Sequence, residues 1–146
     1  MTSTHVSADW ADRLRKTGFR ATGVRIATLE HLDQHPHSSA DEILRGILTS
    51  LPGTSIQAVH NVVNDLTAAD LIRRIDLEGS KSSHYETRTH DNHHHVQCIH
   101  CGRIADVDCA VGHAPCLQPS DSHGMRVIEA SLTFRGICKE CERKES

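Results

Sequence analysis

Two Cys-x-x-Cys pairs, Cys98/Cys101 and Cys138/Cys141, bracket most of the last third of the chain. Two residues between thiols let both sulfurs reach one ion, and Gly102 accepts the tight bend after the first pair. Four thiolates are soft ligands that match tetrahedral zinc. Closing such a site joins an early strand of this segment to its far end. Zinc binding in small sites is worth about 10–16 kcal/mol, so the ion would dominate the stability of the segment. A redox Cys-x-x-Cys wants a βαβ context, which the flanking sequence lacks.

A metal staple suits this composition. Of 146 residues 37% are hydrophobic and only 3% aromatic, so packing must rest on Leu, Ile, Val and Ala. The opening MTSTHVSADWADRLRK has no apolar h-region, and no apolar run reaches the roughly 18 residues of a membrane span. The six cysteines therefore read as reduced, cytoplasmic thiols rather than as a secreted disulfide framework.

Residues from about 9 to 70 read as four helices. Asp9 is expected to cap the first, and Gly18 to end it. Thr22 caps the second, which stops near His35-Pro36. Ser38 or Ser39 caps the third, with Asp41 and Glu42 in its first turn and Ile43, Leu44, Ile47, Leu48 and Leu51 buried. Pro52-Gly53 breaks the chain. Thr54 or Ser55 caps the fourth, whose apolar face is Ile56, Val59, Val62, Val63 and Leu66. Residues 71–75 and 83–87 then flank Glu78-Gly79-Ser80 as a hairpin. Helices followed by a hairpin describe a winged helix-turn-helix, the hairpin being the wing. The second segment offers strands near 94–98, 103–108 and 126–134, with a loop over 109–124. The expected class is α+β, with a winged-helix domain over 1–87, a hinge over 88–92 and a smaller metal-binding α/β domain over 93–146.

The net charge of −3 does not favour nucleic acid, but its distribution does. Arg13, Arg15, Lys16, Arg20 and Arg25 lie in a stretch without acids, and residues 43–64 also lack them. Phosphate contact needs local, not global, positive charge.

Thirteen histidines are far above ordinary usage, and three of them form His93-His94-His95. On a strand His93 and His95 share a face. With Glu86 upstream and Asp106 downstream they make a harder N/O set suited to Fe(II), Mn(II), Ni(II) or Zn(II). Cys109 and Cys116 flank Gly112-His113-Ala114-Pro115. They read first as small buried hydrophobes, and second as a redox pair or an auxiliary metal site with His113.

Several segments together resemble the ferric uptake regulator family, over roughly residues 9–142. They are Arg20-Ala-Thr-Gly-Val-Arg25, His37-Ser-Ser-Ala-Asp-Glu-Ile43, Asp91-Asn-His-His-His-Val-Gln-Cys-Ile-His-Cys-Gly102 and the final Cys-x-x-Cys. The stretch Asp106-Val-Asp-Cys-Ala-Val-Gly-His-Ala-Pro-Cys116 is similar to a branch associated with catalase-peroxidase control and peroxide response. The resemblance implies structural zinc on Cys98, Cys101, Cys138 and Cys141. It implies a regulatory ion, Fe(II) or Mn(II) with Zn(II) or Ni(II) also acceptable, on His37, Glu86, His93 and His95 with Asp106. It further implies a homodimer, a dimerisation role for the second domain, and double-stranded operator DNA as partner. No membrane and no small organic substrate is expected. DNA contacts fall to the basic residues named above, to Arg73, Arg74 and Lys81 of the wing, and to Ser55, Gln57, His60 and Asn61. The family's usual Tyr-Arg pair in the fourth helix is here His60-Asn61. A second His-rich site of some members is incomplete, its positions being Asn92, His94, His113 and Ala130.

Two other classes compete. His84-Tyr-Glu86 with Pro115-Cys116 resembles part of a zinc deaminase signature, but position 119 is Pro rather than Cys. A metal-storage protein without a DNA role would hold well over two ions per chain.

Overall fold

The protein, seen in a computed structural model, is described over residues 3–77, 79–87, 93–108, 120–126 and 133–145, with side chains from residue 9 onward except those of His93, Asp108 and Glu145. The chain divides into two compact units, Met1–Thr89 and His90–Ser146. No described helix is long and apolar enough to cross a membrane.

The first unit opens with α1, Ser3–Lys16. It starts well before Asp9, which lies inside the helix and caps nothing. Residues 3–8 hold no Gly or Pro, and buried Trp10, Ala11 and Leu14 anchor the turns that follow. Gly18, at φ +88°, ends the helix, with Phe19 N donating to Leu14 O at 2.9 Å and Gly18 N to Arg15 O at 3.0 Å. This is a Schellman closure, and the positive φ favours glycine there.

Helix α2, Gly23–Gln34, is capped by Thr22, whose hydroxyl accepts from Arg25 N at 3.4 Å. Ser39 rather than Ser38 caps α3, Ala40–Ile47, in a capping box with Glu42. Ser55 caps α4, Ile56–Ala68, accepting from Ala58 N at 3.1 Å. Val59, Val62, Val63 and Leu66 of α4 are buried as their spacing predicts, whereas Ile56 is exposed. It sits at the first turn, before the helix meets its neighbours.

The hairpin is present as β2, Arg73–Ile75, and β3, His84–Glu86, with Gly79 at φ +80° in the connection. A further two-residue strand, β1 (Ser38–Ser39), pairs with β3 to give the antiparallel order β1-β3-β2. Leu14, Leu29, Leu32, Ile43, Val59, Val63 and Leu66 form the centre of a core that also takes in Ile72 and Tyr85. Each such aliphatic side chain contributes about 1.5–3 kcal/mol on burial, and Leu71, Ile72 and Tyr85 carry the hairpin segment into this core.

The second unit is a sheet of β4 (His93–Cys98), β5 (Ile104–Asp108) and β6 (Thr133–Gly136), followed by α5, Lys139–Glu145. Its order is β5-β4-β6, with β4 antiparallel to β5 and parallel to β6. The third strand expected over 126–134 is described only from Thr133 and runs on to Gly136, because pairing with β4 continues to the Cys98↔Gly136 position. Arg126 lies outside any strand. Residues 127–132 lie outside the described residues, as do the hinge 88–92 and the segment with Cys109, His113 and Cys116.

Candidate metal centres and nucleic-acid surface

The four-cysteine cluster is built by the sheet. Cys98 ends β4 and Cys101 lies in the turn that follows, where Gly102 N donates to Cys98 O at 3.0 Å and Gly102 takes φ +79°. The parallel register sets Gly136 beside Cys98 and so delivers Cys138 to the same end of the sheet. Cys138 immediately precedes α5, and Cys141 occupies its first turn. All four sulfurs lie within 4.8 Å of one another, and Cys101 Sγ and Cys138 Sγ are 3.7 Å apart. Zinc–sulfur bonds of about 2.3 Å in a tetrahedron give sulfur–sulfur edges of about 3.8 Å, so the donor set fits zinc in kind and in size.

The backbone is already arranged for negative sulfur. Amides of Cys101 and Cys138 hold the Cys98 thiol down at about 5, Cys138 N approaching Cys98 Sγ at 3.4 Å. The hydrogen bond with Cys138 pushes Cys141 up to about 12, with burial adding to it. One thiolate is thus favoured by amides, while Cys141 is held as the thiol, whose proton an ion would displace.

Each unit also presents a histidine–carboxylate pair. In the first, His37 N donates to Tyr85 O at 2.9 Å, which sets His37 beside the end of β3. His37 Nε2 lies 3.3 Å from Glu86 Oε2, and Glu86 is only 1% exposed. A carboxylate so buried requires a cationic or hydrogen-bonding neighbour. His37 has φ 68°, the left-handed region, uncommon for a residue with a Cβ.

In the second unit His95 faces Asp106 directly across β4 and β5, with Nε2 3.4 Å from Oδ1. His94 and His95 are both buried. His93 pairs with Asp108 in the ladder, and its side chain lies outside the described residues. Donors about 2.1 Å from one ion are separated by about 3.0–3.4 Å, so each pair has the spacing of two ligands of a shared ion.

The predicted nucleic-acid residues are placed on α1, on the loop before α2 (Arg20), on α2, at the cap and along α4, and on the hairpin. Arg13 stacks on Trp10 with its guanidinium carbon 4.3 Å from the ring centroid. Arg15 pairs with Asp12 at 3.4 Å, and Lys16 ends α1 exposed. Arg25 donates to the carbonyl of Arg20 at 3.0 Å, covers Phe19 and reaches Asp65 of α4 at 3.8 Å. Gln57, His60 and Asn61 are exposed on α4, while the Ser55 side chain is used as the cap. Arg74 is tied to Asp76 at 3.1 Å, and His60, Asn64, Arg74 and Lys81 line one cleft between α4 and the hairpin. Lys81 is exposed and Arg73 half-buried.

Two groups escape a reading by motif. Asp33 of α2 accepts from Trp10 Nε1 at 2.8 Å and from Thr87 Oγ1 at 2.7 Å, tying α1 and the residue after Glu86 to α2. His31 meets Ser38 Oγ through Nε2 at 3.2 Å and lies over Gly46. An internal glycine in a helical pattern is the one signal that could have pointed to this second group.

The chain matches the ferric uptake regulator family over residues 16–135. It is 47% identical over 133 residues to the transcriptional regulator FurA of Mycobacterium tuberculosis, covering 91% of this chain and 90% of that protein. The peroxide-responsive repressor PerR of Staphylococcus epidermidis is 30% identical over 137 residues, covering 90% and 87%. Among solved structures, the ferric uptake regulator of Francisella tularensis with iron superposes with a TM-score of 0.69 at 26% identity, covering 86% of this chain and 96% of that one.

Proposed function

The chain belongs to the ferric uptake regulator family, and from that premise we propose a metal-dependent, DNA-binding transcriptional repressor that acts as a homodimer in the cytoplasm. The observation that carries this reading is the buried His37–Glu86 pair at the end of the wing strand β3. It puts a candidate ligand pair inside the unit that has a winged-helix form, so ion binding and the DNA-reading element share one piece of structure.

In this reading Cys98, Cys101, Cys138 and Cys141 hold a permanent zinc. His37, Glu86, His93, His95 and Asp106 hold an exchangeable Fe(II) or Mn(II), with Zn(II) or Ni(II) as the alternative for a regulator of those metals. The ion supplies a charge that several donors must gather around. Glu86 and Asp106 bring the negative charge, and His37 and His95 bring neutral nitrogen lone pairs. Because the proposed donors are drawn from both units of the chain, binding favours one arrangement of the DNA-reading unit. The ion acts as corepressor to the extent that it binds that arrangement more tightly. The wing residues Arg73, Arg74 and Lys81, with Arg13, Arg15, Lys16 and Arg20, supply phosphate contacts. Exposed Phe134 and Ile137 on and beside β6 support a dimer through the second unit.

Anaerobic titration of each metal into the zinc-loaded protein, read by fluorescence anisotropy of DNA from upstream of its own gene, tests the proposal. Fe(II) or Mn(II) should raise affinity at least tenfold, and Glu86→Gln should remove the response without changing zinc content. Binding that ignores metal would sink it.

The PerR relative supports a second reading, peroxide sensing, that sits on the same site. Mass spectrometry after peroxide treatment of the Fe(II) form should find +16 Da on His37, His93 or His95. Oxidation confined to the zinc cysteines would replace it with thiol sensing. No catalytic role is assigned to any residue.

A further inference from the structure

Helix α4 is 13 residues long and contains neither lysine nor arginine. The commonest specific contact to guanine is Arg or Lys bidentate to O6 and N7, so α4 lacks the means to make it. Its exposed polar face instead carries two amides one turn apart. Gln57 Nε2 donates to Asn61 Oδ1 at 3.0 Å, on the solvent side of the helix.

This bond fixes what the pair can offer. It uses one donor of Gln57 and one lone pair of Asn61. Asn61 Nδ2 remains as a donor and Gln57 Oε1 as an acceptor, on two amides that the bond joins. Turning both amides over exchanges the roles, and the pair still shows one donor and one acceptor. Only one base edge in the major groove is complementary. Adenine offers N7 as acceptor and N6–H as donor. Guanine offers two acceptors, cytosine a single donor, and thymine an acceptor beside a methyl group.

The position is also right. Gln57 lies in the first turn after the Ser55 cap, and the N-terminal part of a recognition helix is the part that reaches base edges. Each amide restricts the other's rotamers, which lowers the ordering cost of contact. Lys81 and Arg74, across the cleft that His60 and Asn64 also line, leave phosphate contact to the wing.

We propose that Gln57 and Asn61 act together as the specificity-determining element of this protein, a preformed amide pair that reads one adenine in each half-site. This rests on the DNA-binding reading above. The test uses the full-length, zinc-loaded, Mn(II)-saturated protein. Selection from randomised duplexes should fix an adenine at one position per half-site. Asn61→Ala and Gln57→Ala, checked for unchanged helix content, should each relax that position and lose about tenfold in affinity for the selected site. Replacing that adenine by 7-deazaadenine should cost the wild type about as much, and should cost Asn61→Ala little more. Three outcomes overturn the inference while leaving metal-dependent DNA binding intact: fixed guanines, additive losses, or variants with unrelaxed selection. A wild-type protein that enriches no sequence and binds no duplex with any metal overturns the DNA reading as well.

Discussion

Gly46 lies directly against the imidazole of His31: a methyl group added at position 46 would meet ring atoms Cε1 and Nδ1 at 2.3 Å. The ring has little room to retreat, since Nε2 meets Ser38 Oγ at 3.2 Å and the His35 ring stands 4.8 Å away. Glycine in a helix interior usually costs about 1 kcal/mol relative to alanine. Here the sign reverses. Gly46→Ala is expected to lower stability by about 1–3 kcal/mol through overpacking. In urea denaturation the double variant with His31→Ala should recover most of the loss. Equal loss in both backgrounds would show that the ring is not the obstacle.

His31 also gives the first unit a pH dependence. Burial, and secondly the nearby His35, hold its pKa below the usual 6.5. The unfolded chain therefore takes up a proton at a higher pH than the folded one. Stability from this group is fully present above about pH 6.5 and is lost as pH falls below that, toward the lowered folded value. Urea midpoints compared at pH 7.5 and 5.5 should drop less for His31→Gln than for the wild type. Parallel drops would assign the dependence to other histidines.

Asp33 joins Trp10 to Thr87, at 2.8 and 2.7 Å. Asp33→Ala leaves the indole N–H of Trp10, a residue only 3% exposed, without its acceptor. A loss of about 1–3 kcal/mol is expected, and the same substitution should cost less in a Trp10→Phe background, where the donor is already gone. Thr87 follows Glu86, so regulatory-metal affinity should also weaken in Asp33→Ala. Thermal melts and anaerobic Mn(II) titration measure the two effects separately.

Removing zinc should affect the units unequally. The cysteine cluster joins β4, the following turn and α5 of the second unit only. Cys141→Ser or strong chelation should therefore expose residues 90–146 to limited proteolysis while a fragment ending near residue 89 survives. Simultaneous digestion of both parts would contradict this.

Much of this architecture was legible because local chemistry and tertiary structure agree. Thr22 and Ser55 cap where their hydroxyls precede an apolar period, and Gly18 closes α1 where positive φ is needed. Cys98, Cys101, Cys138 and Cys141 announce one another by spacing alone. Asp9 misled because a capping residue type carries no mark of whether the chain before it is already helical. Strand β1 has only two residues and exists through its partner Tyr85, so no periodicity could reveal it. Helix α5 was missed because Lys139–Glu145 buries little beyond Cys141. The Trp10–Asp33–Thr87 connection spans distant segments through one carboxylate, and sequence spacing has no means of expressing that.

The left-handed backbone at His37 has a consequence for how this chain can change. Most side chains are strained at φ 68°, whereas glycine, asparagine and aspartate tolerate it. Substitutions that survive folding at position 37 are thus drawn from a short menu, and two of its three members still carry an oxygen that can bind a cation. If His37 is a ligand as proposed, drift at this position is biased toward exchanging one metal preference for another before metal response is lost outright.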